Sequence, residues 1–189
     1  KIDEENFKDN LKIINNQIKQ IENLVNEFSD FARMPKPILE KNDLVKIIKD
    51  NIKLLSQIDS SIKINLKFAK STISLESDKE QMSRVIFNLI KNSIESIQQK
   101  AENANNFDKI IDIEIYEKNN QIYIIIIDNG SGFGNFSNNL NEILNPYVTT
   151  KKNGTGLGLS IVNKIINDHN GKLNFVSLTN GAKVEIIFN

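Results

Sequence analysis

The sequence predicts an α+β chain: a long coiled-coil-type helix, then a two-layer α/β sandwich with helices on one face of a mixed sheet. Three observations lead there. An apolar seam with 4-3 spacing runs through a first segment that has no Gly or Pro. Two prolines then break the pattern in Arg33-Met-Pro-Lys-Pro37. Beyond them, the strand patterns fall mostly in adjacent pairs, which argues against a purely parallel, doubly wound sheet.

The seam comprises Phe7, Leu11, Ile14, Ile18, Ile21, Val25, Phe28 and Ala32. Its alternating steps of four and three are those of a heptad a/d seam. The expected helix runs roughly from Glu4 to Arg33. A helix of this kind cannot bury its seam alone, so it needs a partner helix more than a place on its own domain. Pro35 and Pro37 stop it, because neither supplies the N–H a helix requires. They mark the boundary between residues 1–36 and 37–189.

Asp43 is placed to cap a short amphipathic helix, DLVKIIKDNIKLLSQ. SIKINLKF alternates apolar and polar residues and reads as a strand, and STISLES is a weaker strand candidate. Asp78 starts a long helix reaching about Gln99. KIIDIEIYEKNNQIYIIIIDNG reads as a hairpin turning at Asn119-Asn120. Ile122 to Ile127 is almost wholly apolar, as in a central strand buried on both faces. From Asn129 to Gly154 the periodicity is lost over a stretch too long for a simple connector, as in a lid or binding loop. Leu157 to Asp168 returns to a helical pattern. GKLNFVSL and AKVEIIF close the chain as a second hairpin around Thr-Asn-Gly.

Composition excludes several functions. The 189 residues carry 24 basic and 24 acidic side chains. That balance lacks the basic surplus of a nucleic-acid binder. There is no cysteine, hence no disulfide, thiolate zinc site or cysteine nucleophile. No apolar run approaches the ~20 residues of a membrane span, and no signal peptide is visible. The chain is expected to be soluble and cytoplasmic. Lys1 is a poor natural start, so the chain reads as a piece of a longer parent, with room for an inner-membrane anchor elsewhere.

Three stretches carry candidate chemistry. In RVIFNLIKNSIESI, Asn88, Asn92 and Glu95 recur at helical spacing and share a face. An Asn carbonyl oxygen suits a hard cation such as Mg²⁺, although two amides at this spacing, taken alone, better suit a solvated face. In IIIIDNGSGF, Asp128 ends an apolar strand and is followed by Gly130 and Gly132. A carboxylate there can accept a hydrogen bond from an exocyclic amine in a pocket, while Asp-Asn-Gly is also ordinary turn chemistry. In NPYVTTKKNGTGLGLS, Gly154, Gly156 and Gly158 lead straight into a helix. A bare backbone before a helix start is an anion site, with Lys151 and Lys152 adding positive charge nearby.

Taken together, in this order, the stretches closely resemble the ATP-binding domain of sensor histidine kinases, within the class that includes gyrase, MutL and the heat-shock chaperone ATPases. Asn88 to Asn92 looks like the family's Asn box. Asp128, Gly130 and Gly132 match its first glycine box. PYVTTK looks like its phenylalanine box, with Tyr147 in the aromatic position, and GTGLGL matches its second glycine box. The likeness covers about residues 40 to 189. NEFSDFARMPKP is similar to the end of the dimerisation domain in kinases of the NtrB/NtrY type. The first helix would then be the second helix of a dimerisation hairpin, whose phosphoacceptor helix this chain lacks. His169 lies where the family often has a His-Gly turn and is expected to be structural.

The resemblance implies the remaining roles. Asp128 would bind the adenine amino group. Asn92 would hold Mg²⁺, assisted by Asn88. Tyr147, Thr149, Lys151, Gly154, Thr155, Gly156, Leu157 and Gly158 would contact the nucleotide, with Gly130 and Gly132 shaping its adenine side. A lid at about 130–155, mobile from Gly134 to Asn153, would close over ATP. The γ-phosphoryl group would pass to a histidine on the missing helix, and then to an aspartate of an NtrC/NtrX-like response regulator. The intact protein would be a homodimer through its N-terminal helix. Related ATPases carry Glu where this chain has Asn88. An amide cannot take a proton from water at neutral pH, so transfer is favoured over hydrolysis. The competing readings are an ATPase or serine kinase of the same fold, and a nucleotide-binding interaction module without transfer chemistry. Two positions depart from the family pattern: Glu95, often basic, and Gly181-Ala182, often Gly-Thr.

Overall fold

The computed structural model describes residues 4–102, 104, 107–136, 139–149, 151 and 154–189. Helix α1 spans Glu4–Ala32. Strand β1 (Glu40–Asp43) pairs antiparallel with β3 (Ser74–Ser77), forming a two-stranded ribbon. Between them lie α2 (Leu44–Leu55) and β2 (Lys63–Phe68). Then come α3 (Lys79–Ala101), β4 (Ile110–Lys118) and β5 (Gln121–Asp128). Two 3₁₀ turns, Gly134–Phe136 and Leu140–Leu144, precede α4 (Gly158–Asp168). Strands β6 (Lys172–Ser177) and β7 (Ala182–Phe188) end the chain.

The five-stranded sheet has the order β2-β4-β5-β7-β6. Only β2 and β4 run parallel, and the other pairs are antiparallel. Asn119 and Asn120 take positive φ, 53° and 64°, as a two-residue hairpin turn requires. Asp43 caps α2 by accepting from Val45 N at 3.0 Å. Asp78 caps α3 by accepting from Glu80 N and Gln81 N, each at 3.0 Å.

The inner face of the sheet packs on α2, α3 and α4 through Ile113, Ile124, Val184 and Phe188, which meet Ile48, Ile90 and Ile165 in one apolar cluster. The expectation that β5 is buried on both faces needs correction. Ile122, Ile124 and Ile126 face the helices and are buried, whereas on the outer face only the central Ile125 is buried and Tyr123 and Ile127 are half-buried. Among the described residues no helix covers that side, and charged neighbours flank it: Glu114 and Glu185 lie in register with Ile125. Tyr116 and Tyr123 stack there at 5.1 Å. An unbroken isoleucine run conceals the alternation that a one-sided sheet needs.

Strand β1 was not anticipated. Glu-Lys-Asn-Asp has no apolar residue, and its extended form comes from pairing with β3. Helix α1 exposes about half of each larger seam residue, from Phe7 to Phe28. Its last turns reach the domain: Leu24 and Glu27 border a cavity, and Phe31 and, just beyond, Met34 pack against the core. The connection after α1 is tied down: Gln81 Nε2 donates to Pro35 O at 3.1 Å, and Ile38 N donates to Asp78 Oδ2 at 3.0 Å. Among the described residues, no helix is long and apolar enough to cross a membrane.

Candidate functional site

A cavity of about 410 Å³ lies between α3, the end of β5, the start of α4 and the last turns of α1. This volume is in the range of ~300–1,000 Å³ usual for small-molecule sites. The most buried charged group described on its wall is Asp128, only 5% exposed. The carboxylate accepts from Gly130 N at 2.9 Å, Ser93 Oγ at 3.2 Å and Ser96 Oγ at 3.4 Å. Burial pushes the Asp128 carboxyl above its usual value, against the opposing pull of hydrogen bonds from Gly130, Ser93, Ser96 and the Ala182 backbone. Gly130 itself sits behind the carboxylate. A Cβ there would come within 2.6 Å of the Ser96 carbonyl carbon, so only glycine lets β5 end this close to α3.

Helix α3 carries Asn88, Asn92 and Glu95 on one face, as their spacing predicts, and that face borders the cavity. Asn92 Oδ1 accepts from the Lys151 ammonium at 2.8 Å, and that ammonium also pairs with Glu95. Lys91 lies 3.8 Å from the same carboxylate. Glu95 is thus the anchor of two ammonium groups.

At the other end, α4 begins without a side-chain cap. Gly158 lies on the cavity wall, and an added Cβ there would be 3.7 Å from Asn88 Oδ1. Uncapped N–H groups opening on a cavity favour an anion. Gly156 has φ of 70°, and a Cβ would fall 2.5 Å from the Tyr147 carbonyl carbon, so this turn demands glycine. Gly132, Thr149, Gly154, Thr155 and Gly156 also border the cavity. Leu157 is fully buried and serves the core, and Tyr147 points to solvent with 54% of its surface exposed. Neither these two nor Gly130 lines the cavity. Lys152 and part of the expected lid, 134–153, lie outside the described residues.

Several lining residues were not anticipated. Ser93 and Ser96 follow Asn92 on α3 and orient Asp128. The signal for them was physical: a buried strand-end carboxylate must find donors. Phe133, Phe136 and Phe175 add an apolar wall, Phe133 and Phe175 meeting edge-on at 5.6 Å. Leu24 and Glu27 come from α1, and nothing in their own pattern placed them here. Ala182, at one of the two departures from the family pattern, borders the cavity opposite Asp128 in the β5–β7 ladder.

The cavity's two ends suit a flat amine-bearing group and a phosphate chain, the layout of a nucleotide-binding α/β sandwich. The chain belongs to the histidine kinase-, DNA gyrase B- and HSP90-like ATPase family, whose model matches residues 77–189. Among curated proteins it is similar to the nitrogen regulation protein NtrY of Azorhizobium caulinodans, with 34% identity over 155 residues, 82% of this chain and 20% of that protein. It is also similar to an NtrY-like sensor histidine kinase of Rickettsia typhi, with 32% identity over 98% of this chain and 30% of that protein. The chain therefore spans less than a third of either relative. Solved structures share the fold. Full-length ShkA in complex with AMPPNP superposes with a TM-score of 0.76 at 17% identity, covering 95% of this chain and 38% of that one. Histidine kinase ThkA in complex with the response regulator TrrA gives 0.72 at 21% identity, over 96% of this chain and 51% of that one.

Proposed function

We propose that this chain is the catalytic, ATP-binding portion of a two-component sensor histidine kinase. The observation that carries this reading is the pairing, in one cavity, of a buried carboxylate at the end of β5 with an uncapped helix start at α4. Asp128 accepts the adenine amino hydrogen. The backbone amides from Gly154 to Gly158, with Thr155, take the phosphates, and Lys151 supplies positive charge. Thr149 and Tyr147 border the same loop.

The donor set fits Mg²⁺. The Asn92 amide oxygen already receives an ammonium, so it is presented to a cation. Among the described residues there is no cluster of three acidic or histidine side chains. Phosphate oxygens and water would supply most of the ion's ligands, as is usual for Mg²⁺. Once bound, the ion would neutralise charge on the phosphates. This chain's own contribution is to hold the nucleotide in line and shield its charge. Asn88 cannot act as a base for water, which favours transfer to a histidine over hydrolysis. The acceptor histidine lies outside this chain, and an NtrC/NtrX-like response regulator takes the phosphoryl group onward. In the intact protein the exposed seam of α1 pairs two copies.

Titration calorimetry with a non-hydrolysable ATP analogue and Mg²⁺, on wild type and Asp128→Asn, tests the reading. Saturable binding that the substitution weakens at least ~tenfold is expected, since a hydrogen bond to a charged group contributes about 1.5–3 kcal/mol. Equal binding by both proteins would remove Asp128 from the adenine site.

A further inference from the structure

Helix α1 contributes a carboxylate to the phosphate end of the cavity. Leu24 and Glu27 are one turn apart on one helix face, and both line the cavity. The Thr155 hydroxyl donates to Glu27 Oε2, although the two residues are 128 positions apart. Phe31 and Met34, packed on the core, hold the end of the helix over the opening. Glu27 is half-buried.

The charges around the cavity make this contact consequential. Among the described residues, its ionisable lining is Glu27, Glu95 and Asp128 against Lys91 and Lys151. Both lysines are drawn to Glu95. Asp128 sits at the opposite end, held by its own donors. Among the described residues, no cation is paired with Glu27. A phosphate chain entering the Gly154–Gly158 turn therefore meets a carboxylate bonded to the same threonine.

We propose that Glu27 sets the affinity of the phosphate loop and makes the docking of α1 compete with polyphosphate. The inference rests on the nucleotide reading above. Like charges repel when held in one partly desolvated site, and the repulsion grows with ligand charge. Linkage makes the effect reciprocal: if α1 docking disfavours the polyphosphate, the polyphosphate disfavours docking by the same factor. Thr155 is the point of exchange, because its hydroxyl serves either the carboxylate or a phosphate oxygen.

Calorimetry with the full chain tests this, using a non-hydrolysable ATP analogue and adenosine as the two probes. Glu27→Gln should bind the analogue about fivefold or more tightly than wild type, the lower end of usual coupling factors. Glu27→Lys should bind it more tightly still. Adenosine should bind all three proteins alike, and raised salt should narrow the gap for the analogue. In wild type, the analogue should speed hydrogen exchange at the α1 amides around Leu24 to Phe31. Equal affinity of wild type and Glu27→Gln for the analogue would overturn the inference while leaving the nucleotide reading intact. So would an equal gain for adenosine, which would mean simple unblocking without charge. Loss of binding by every protein would overturn both.

Discussion

The Lys151 ammonium lies 2.8 Å from Asn92 Oδ1 and pairs with Glu95 at the same time. One cation thus occupies the amide oxygen proposed for the metal. Two cations at one amide oxygen repel, so Mg²⁺ and the Lys151 ammonium compete for Asn92. Lys151→Met should lower the Mg²⁺ concentration that gives half-maximal analogue binding, since the internal competitor is gone. At saturating Mg²⁺, the same variant should bind the analogue about tenfold more weakly, for loss of a charge-assisted contact to phosphate. Calorimetry at stepped Mg²⁺ separates the two effects. An unchanged Mg²⁺ requirement with unchanged affinity would reduce the contact to a partly exposed ion pair.

Asp128 gives opposite pH trends for binding and for stability. Its folded carboxyl titrates above the usual value, chiefly through burial. Between the unfolded and folded values, the native chain holds the proton more tightly than the unfolded chain does. Relative to Asp128→Asn, wild-type stability should therefore fall as pH rises from about 3.8 through the folded value, and level off above it. Analogue binding needs the ionised form, so it should rise over that same interval. Urea midpoints and calorimetry across the acid range check the two trends. Parallel pH curves for wild type and variant would show that Asp128 does not titrate there.

His169 joins two helices from within the core. Its Nε2 accepts from Asp78 N at 2.9 Å, and its Nδ1 lies 2.8 Å from Ile165 O, to which it donates. The contact fastens the end of α4 to the start of α3. His169→Ala leaves the Asp78 N–H without its partner, at about 1–3 kcal/mol of stability, while Ile165 O keeps the backbone N–H of residue 169. Urea unfolding should register that loss. Analogue affinity should stay within about twofold, because His169 is at the opposite end of α4 from the cavity and does not line it. A large loss of affinity with unchanged stability would refute a structural role.

Much of this could be read from the residues before any coordinates. Asp43 and Asp78 cap the helices they precede, and Asn119-Asn120 turns the hairpin it separates, because local chemistry decides caps and turns. That Asn88, Asn92 and Glu95 share one face of α3 followed from helical spacing, whereas the resemblance, not the spacing, turned that face toward a pocket. What stayed hidden depends on contacts made across the chain. Strand β1 exists through its partner, and the open outer face of β5 is set by where the helices lie. Glu27 reaches the cavity only because Phe31 and Met34 seat the end of α1 on the domain, and nothing local to Glu27 reports that.

The parallel pairing of β2 with β4 has a consequence for how the chain assembles. The β4–β5 and β6–β7 hairpins join neighbouring segments, so each can close on the microsecond scale of an isolated hairpin. Asn65 and Asp112, partners across the parallel pair, are 47 residues apart, with α3 between them. Loop closure at that distance is not rewarded until α3 has found the sheet. Strand β2 should then be the last to dock and the first to leave. The sheet edge farthest from the phosphate turn would be its kinetic seam, and nascent chains would meet their aggregation risk at Lys63–Phe68 rather than at the nucleotide cavity.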